Sequence, residues 1–93
     1  MTTAEVAACN EAMNDVLDKL PEDLWILSQG IRSPIGRRSR TMEVHVSGTR
    51  GCGVAGAARA LGIAYTSMEK DGFVEQSFEL DGVKVFQLID AGE

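Results

Sequence analysis

The sequence predicts a single α+β domain spanning residues 1–93, with an N-terminal helix followed by one sheet packed by helices. Its 93 residues suit one compact core. The spacing of apolar residues is helical near the N-terminus and changes to a period of two from residue 41 onward. Two Asp-Gly dipeptides, which are typical of hairpin turns, divide the last third of the chain into strands.

The first element is a helix over residues 3–19. Thr2 and Glu5 have the spacing of a capping box, and Lys19 followed by Pro21 supplies a stop signal. Apolar residues recur at helical intervals along this segment, namely Val6, Cys9, Met13, Val16, Leu17 and Leu20. They predict a helix that packs this side, including Cys9, against the core.

The next stretch, residues 21–30, is ambiguous between helix and strand. Leu24, Leu27 and Ile31 keep helical spacing, which favours a second helix. The Trp-Ile-Leu run at 25–27 would equally suit a buried strand. We expect a helix here, with a strand as the open alternative.

The remaining elements alternate between strand and helix. Apolar residues at every second position predict a strand over 41–47. A short helix follows over 53–61, with Gly62 as its C-terminal cap. The Asp-Gly turns then separate three further strands, at 63–69, 73–80 and 83–89.

The last hairpin has a register that the sequence itself can check. A two-residue turn at 81–82 pairs Leu80 with Val83, Phe78 with Val85, Gln76 with Gln87, and Val74 with Ile89. One face is then apolar except for a pair of glutamines. A similar turn at 71–72 would place Ile63 and Tyr65 on the same face. We expect a three-stranded antiparallel meander whose apolar face is covered by helices.

The net charge of −5 conceals a basic middle third. Residues 24–59 contain six arginines and one glutamate, whereas the flanking segments are acidic. Ser, Pro and Gly between the arginines predict a basic flexible loop over 32–40, which contains Arg32, Arg37, Arg38 and Arg40. Such a loop could contact nucleic acid, although we favour either a mobile, solvated loop or one that pairs with the acidic ends of the same chain.

A glycine-rich segment precedes the second helix. Gly51, Gly53 and Gly56 form the pattern G-x-G-x-x-G, which resembles the first βαβ unit of a dinucleotide-binding domain. The residues after Glu69 read as hairpins, so the rest of such a domain is missing. A simpler anion site could form at the helix N-terminus with Arg50 beside it. We expect instead that the glycines serve the turn and the close packing of the helix.

Catalytic and metal-binding patterns are sparse. Cys52 near a helix start and His45 in the preceding strand could form a nucleophilic pair, but the spacing implicates no third group. A surface histidine beside an unrelated loop cysteine is the reading that we favour. One histidine and two distant cysteines do not make a ligand set. We expect no catalytic residue, no metal and no cofactor.

With catalysis and metal binding disfavoured, the function that we expect is the binding of another protein. The second face of the meander presents Phe73, Phe86 and Leu88, which is more apolar than a solvated face requires. We expect a non-enzymatic protein-binding module that forms homo-oligomers. The alternatives are an anion- or nucleotide-binding protein that uses the glycine-rich loop 48–56, and a nucleic-acid-contacting protein that uses the arginines of 32–40.

The setting follows from composition. No apolar run is long enough to span a membrane, and the N-terminus lacks the pattern of a secretory signal, so we expect a cytoplasmic protein with reduced thiols. Arginine outnumbers lysine, and alanine and glycine are frequent, which suggests a GC-rich bacterial or phage genome.

Overall fold

The computed structural model describes residues 2–32, 41–48 and 52–90. The elements along these segments are α1 (Thr3–Lys19), β1 (Trp25–Arg32), β2 (Thr41–Ser47), α2 (Val54–Leu61), β3 (Thr66–Lys70), β4 (Phe73–Leu80) and β5 (Val83–Asp90). The predicted α+β class is confirmed. Among the described residues the sheet has five strands, one more than the sequence predicts.

Helix α1 begins and ends where its capping signals predict. The Thr2 hydroxyl accepts a hydrogen bond from the Glu5 backbone N–H at 3.2 Å, and the Glu5 carboxylate accepts one from the Thr2 N–H at 3.4 Å. The helix buries Cys9, Met13 and Val16 against the sheet. Local signals therefore account for this element in full.

Residues 25–32 form strand β1, so the expected second helix is wrong. Helical spacing would place Leu24, Leu27 and Ile31 on one side, but only Leu24 and Ile31 pack against the core. Leu27 lies at an irregularity of the β1–β2 ladder and is exposed. Antiparallel pairing with β2 satisfies the backbone of this segment and overrides the helical spacing.

The predicted basic loop is only partly described. Arg32 is the last residue of β1 and is not a loop residue, which corrects the expectation for that position. It pairs with Thr41 of β2, and this pairing extends the strand through position 32. Arg37, Arg38 and Arg40 lie outside the described residues.

The sheet has the strand order β1-β2-β5-β4-β3. Neighbouring strands are antiparallel except for β2 and β5, which are parallel. The predicted meander of β3, β4 and β5 is confirmed, and so are all four residue pairs predicted for its last hairpin. The β3–β4 ladder ends at Thr66, so Ile63 and Tyr65 are not paired as expected.

Both helices pack on the same face of the sheet. Helix α1 contacts β1, β2 and β5, and helix α2 contacts β4 and β5. They share one core, formed by Met13, Val16, Leu20, Val44, Val46, Val54, Ala57, Ala58, Phe78, Val83 and Val85. Neither of these two helices is long and apolar enough to cross a membrane.

We call the opposite side of the sheet the open face. Its central row crosses all five strands and runs through Ser28, His45, Phe86, Ser77 and Thr66. Strand residues alternate between faces, so every second residue of each strand points to this side. Within the described part of the chain, no helix covers it.

Candidate functional site

The loop before α2 is held by a buried glutamine on β5. Gln87 is fully buried, and its side-chain oxygen accepts a hydrogen bond from the backbone N–H of Val54, the first residue of α2. Its side-chain nitrogen donates to the Gly48 carbonyl at 3.0 Å. One amide therefore satisfies a free N–H of the helix N-terminus and a carbonyl of the loop.

This arrangement requires glycine at two positions of the loop. Gly53 has φ +63°, and a Cβ atom there would lie 2.9 Å from the Gln87 Cδ atom. A Cβ atom on Gly48 would lie 2.9 Å from the Gly53 nitrogen. Real side chains do not tolerate such distances, so close approach of the loop to Gln87 explains both glycines.

The structure describes only two of the four residues predicted for the alternative anion site. Gly53 precedes α2, and Gly56 lies within it. Arg50 and Gly51 lie outside the described residues. The N–H of Val54, which an anion would use, already donates to Gln87. Anion binding at this loop stays a prediction.

The residues predicted to form an interface share the open face. Phe73 pairs with Asp90, Phe86 with Ser77, and Leu88 with Glu75, all on this side of the β4–β5 ladder. The two phenylalanines are half-buried among their neighbours. Leu88 is 47% exposed, and Met68 on β3, which faces Glu75, is 56% exposed. The open face therefore carries a half-exposed apolar patch.

An aromatic pair occupies the middle of this face. The His45 and Phe86 rings stack with their centroids 4.6 Å apart and their planes 9° apart. The Lys84 ammonium lies 5.4 Å from the Phe86 centroid, within the range of a cation–π contact. His45 thus packs against an aromatic ring, whereas Cys52 lines a separate groove beside α2. The two are not arranged as a nucleophile and its base.

Three charged residues of the open face pair with each other. The Glu75 carboxylate accepts a hydrogen bond from the Lys84 ammonium at 3.1 Å, and the Lys70 ammonium lies 3.0 Å from its other oxygen. Only 12% of the Glu75 side chain is exposed. Burial alone would raise the pKa of Glu75, but the hydrogen bonds and charges of the two lysines outweigh it and hold that pKa below its ordinary value.

A cleft of about 320 Å³ lies at the β1–β2 end of the open face. Its walls include Arg32, Glu43, His45 and Phe86, and a Cβ atom on Gly30 would meet nothing within 4 Å. The missing side chain of Gly30 therefore opens this space.

Across residues 2–32, 41–48 and 52–90, no group of three or more His, Cys, Asp or Glu residues could hold a metal ion.

A second groove, of about 410 Å³, lies beside the small residues of α2. Cys52 and Trp25 both line it, and Trp25 is 71% exposed. Cys9 is buried and Cys52 is exposed, as the sequence predicts. Sequence reasoning missed the exposure of Trp25, because it treated the segment as a buried helix or strand.

No protein-family model, curated protein or solved structure matches this chain. Evidence for a function therefore comes from the contacts, exposure and charges of the chain itself. Two surfaces carry such features: the open face, and the outer edge of β1, which lies at one end of the sheet.

Proposed function

We propose that this chain is a non-enzymatic protein-binding module that pairs with a second copy of itself through the open face. The observation that carries the proposal is the one-sided placement of both helices on the sheet. It leaves Leu88 and Met68 about half exposed beside Phe73 and Phe86. Apolar patches of this kind mark interaction sites.

Strand direction also supports burial of this face. β2 and β5 are parallel neighbours inside the sheet. All-parallel sheets occur almost only with both faces covered, whereas antiparallel sheets tolerate water on one side. The His45–Phe86 stack lies over this parallel pair. A covering layer on the open face would give this one parallel pair the environment of an all-parallel sheet.

The dimensions of the face favour a flat partner. Five strands spaced about 4.8 Å apart, with eight-residue strands rising about 3.4 Å per residue, give a surface roughly 25 Å on each side. That is on the order of 600 Å², and specific interfaces bury about 800 Å² per partner. Only a partner that covers the whole face approaches this value. The open face of a second copy is such a surface, and sheets pack face to face about 10 Å apart.

Pairing within the chain lowers the cost of burying the charges. Glu75 is held by Lys70 and Lys84, and the Arg32 guanidinium lies 3.7 Å from the Glu43 carboxylate. An unpaired charge in an interface costs several kcal/mol, whereas a paired and hydrogen-bonded one costs much less. The open face can therefore be buried while each of these five charged residues keeps an oppositely charged partner in its own chain.

The proposed setting is the cytoplasm of a bacterium or a bacterial host. Cys9 and Cys52 are both free thiols in the structure. Unpaired cysteines are the usual state in reducing compartments. This supports the setting, and the composition of the chain supports the bacterial or phage origin.

The substitution Leu88→Glu tests the proposal. Leu88 is already half exposed, so the variant should keep its melting temperature within a few degrees, while a charge buried without a partner in the interface should split the pair. We expect light scattering to show the particle mass falling by half. Val6→Glu places the same charge on an exposed position of α1 and should leave the mass unchanged.

Two results would overturn this function. One is a wild-type chain that stays monomeric at about 1 mM, well above the dissociation constant of a stable dimer. The other is a Leu88→Glu variant that keeps the wild-type mass while remaining folded.

A further inference from the structure

Strand β1 is a free edge of the sheet. It occupies one end of the strand order, and no other described strand pairs with its outer side. Seven of its eight residues are exposed, and only the last, Arg32, is charged. The opposite edge, β3, is shorter and carries Glu69 and Lys70. Charges of this kind discourage edge-to-edge pairing, so β1 is the less protected edge.

The β1–β2 ladder shows which residues of β1 are in regular positions. Leu27 has no partner on β2, because the register shifts between Ile26 and Ser28. The paired positions are Trp25, Ile26, Ser28, Gln29, Gly30, Ile31 and Arg32. Gln29 stands at the middle of this series, with three paired positions on each side.

We infer that β1 pairs antiparallel with β1 of a second copy, about a two-fold axis at Gln29. Leu27 is left out of the count because it has no partner in the ladder. Among the remaining positions, those equally far from Gln29 then face each other. The resulting pairs are Trp25 with Arg32, Ile26 with Ile31, Ser28 with Gly30, and Gln29 with Gln29 of the second copy. The binding partner of β1 is therefore β1 of another copy of the chain.

The two faces of the sheet agree with this register. Arg32 pairs with Thr41, which lies on the open side of β2, and Trp25 pairs with Ser47 at the end of β2 that borders the groove beside α2. Ile26 and Ile31 pair with Val46 and Met42, which lie on the helix side. Each paired residue of β1 from Ile26 to Ile31 thus meets one from its own side. A shift by one position would place apolar residues opposite polar ones on the wrong face.

The contacts in this register are favourable along the strand. The Trp25 indole is 71% exposed at one end of β1, where it lies opposite Arg32 of the second copy and can receive its guanidinium as a cation–π contact, twice by symmetry. The two isoleucine pairs bury exposed surface on the helix side. Gly30 opposite Ser28 adds no bulk, and the two Gln29 amides can hydrogen-bond to each other on the axis.

This pairing differs from contact through the open face and does not depend on it. It extends the two sheets side by side into one sheet of ten strands and leaves both open faces accessible. The two contacts can therefore be separated by substitutions on different surfaces.

A cysteine at the axis provides the first test. Facing residues of an antiparallel pair have Cα atoms about 4.5–5.5 Å apart, within the range that a disulfide needs. Gln29→Cys in a Cys52→Ser background should therefore form a covalent dimer under mild oxidation. Glu69→Cys in the same background lies on the same side of the other edge and should stay monomeric on a non-reducing gel.

Charge variants provide the second test. Gln29→Lys and Gln29→Glu each place like charges opposite each other, and each should weaken this self-association at least about tenfold. An equimolar mixture of the two should associate again, because the axis then holds a lysine opposite a glutamate. Light scattering and sedimentation measure both effects.

The outcomes separate the two surfaces. If Gln29→Cys crosslinks no faster than Glu69→Cys, or if the mixture of charge variants fails to associate, β1 does not pair in this way. If Leu88→Glu leaves the mass unchanged while Gln29→Lys lowers it, the β1 contact stands and the open-face contact fails.

Discussion

Gln87 links two parts of the chain that are far apart in sequence. Its hydrogen bonds reach Val54 and Gly48, which are 33 and 39 positions away. The hairpin register predicts that Gln87 faces the helices, but no local pattern indicates which backbone groups it meets. The sequence shows Gly53 as part of a glycine pattern, but it does not show why glycine is needed there, which is the close approach of the loop to the Gln87 side chain.

Replacing Gln87 should destabilise the fold more than replacing its neighbour Gln76. Gln87→Leu leaves the Val54 N–H and the Gly48 carbonyl buried or part-buried without their partner, a loss of about 2–4 kcal/mol. Gln76 makes one long contact, 3.5 Å to the Ser67 hydroxyl, and its oxygen has no partner among the described residues. Gln76→Leu should therefore cost less than about 1 kcal/mol.

Urea denaturation of the two variants measures this difference. Equal losses for Gln76→Leu and Gln87→Leu would contradict the role given to Gln87. Gly53→Ala serves as a second probe of the same contact, because its Cβ atom would meet the Gln87 side chain and its φ is positive.

Glu75 makes the stability of the fold depend on pH in the acid range. The lysines Lys70 and Lys84 lower its pKa in the folded chain. A carboxyl with a lowered folded pKa adds stability above its unfolded value, and that stability is lost as the pH falls through the folded pKa. Thermal unfolding between pH 6 and 2 should therefore be less pH-dependent in Glu75→Gln than in wild type. Identical profiles would show that the lysines contribute nothing to stability.

At the scale of elements, local signals predict every element except β1. The caps of α1, the left-handed Gly62 that ends α2 and the Asp-Gly turns are each set by residues close in sequence. β1 depends on β2, which is joined to it through residues 33–40, and its apolar spacing fits either structure. The secondary structure of such a segment is determined by pairing with another strand, and the residues of the segment alone do not show whether that partner is present.

Two glycines at element positions should respond in opposite directions to alanine. Gly62 has φ +70°, so Gly62→Ala should cost about 1 kcal/mol even though there is room for the methyl group. Gly30 lies in a strand without a positive φ and in open space, so Gly30→Ala should gain up to about 0.5–1 kcal/mol. For a domain of this size the melting temperatures should move several degrees apart. Shifts of the same sign would contradict the conformations assigned to these glycines.

At the scale of the whole molecule, the sequence predicts the open face but not its extent. Alternation along β4 and β5 places Phe73, Phe86 and Leu88 on one side, as the structure has them. The addition of β1 and β2 to that side depends on the parallel pairing of β2 with β5, whose paired residues are about 40 positions apart. The free edge of β1 and the exposure of Trp25 follow from that same pairing, so neither could be predicted.

The position of β5 also sets the order in which the protein can assemble during synthesis. It is the last of the five strands to leave the ribosome, and it lies between β2 and β4, which do not pair with each other. Until it emerges, the nascent chain holds two separate hairpins with no shared strand. Closing such distant pairings slows folding. The apolar sides of both hairpins therefore stay open to chaperones until the whole of β5 has emerged from the ribosome.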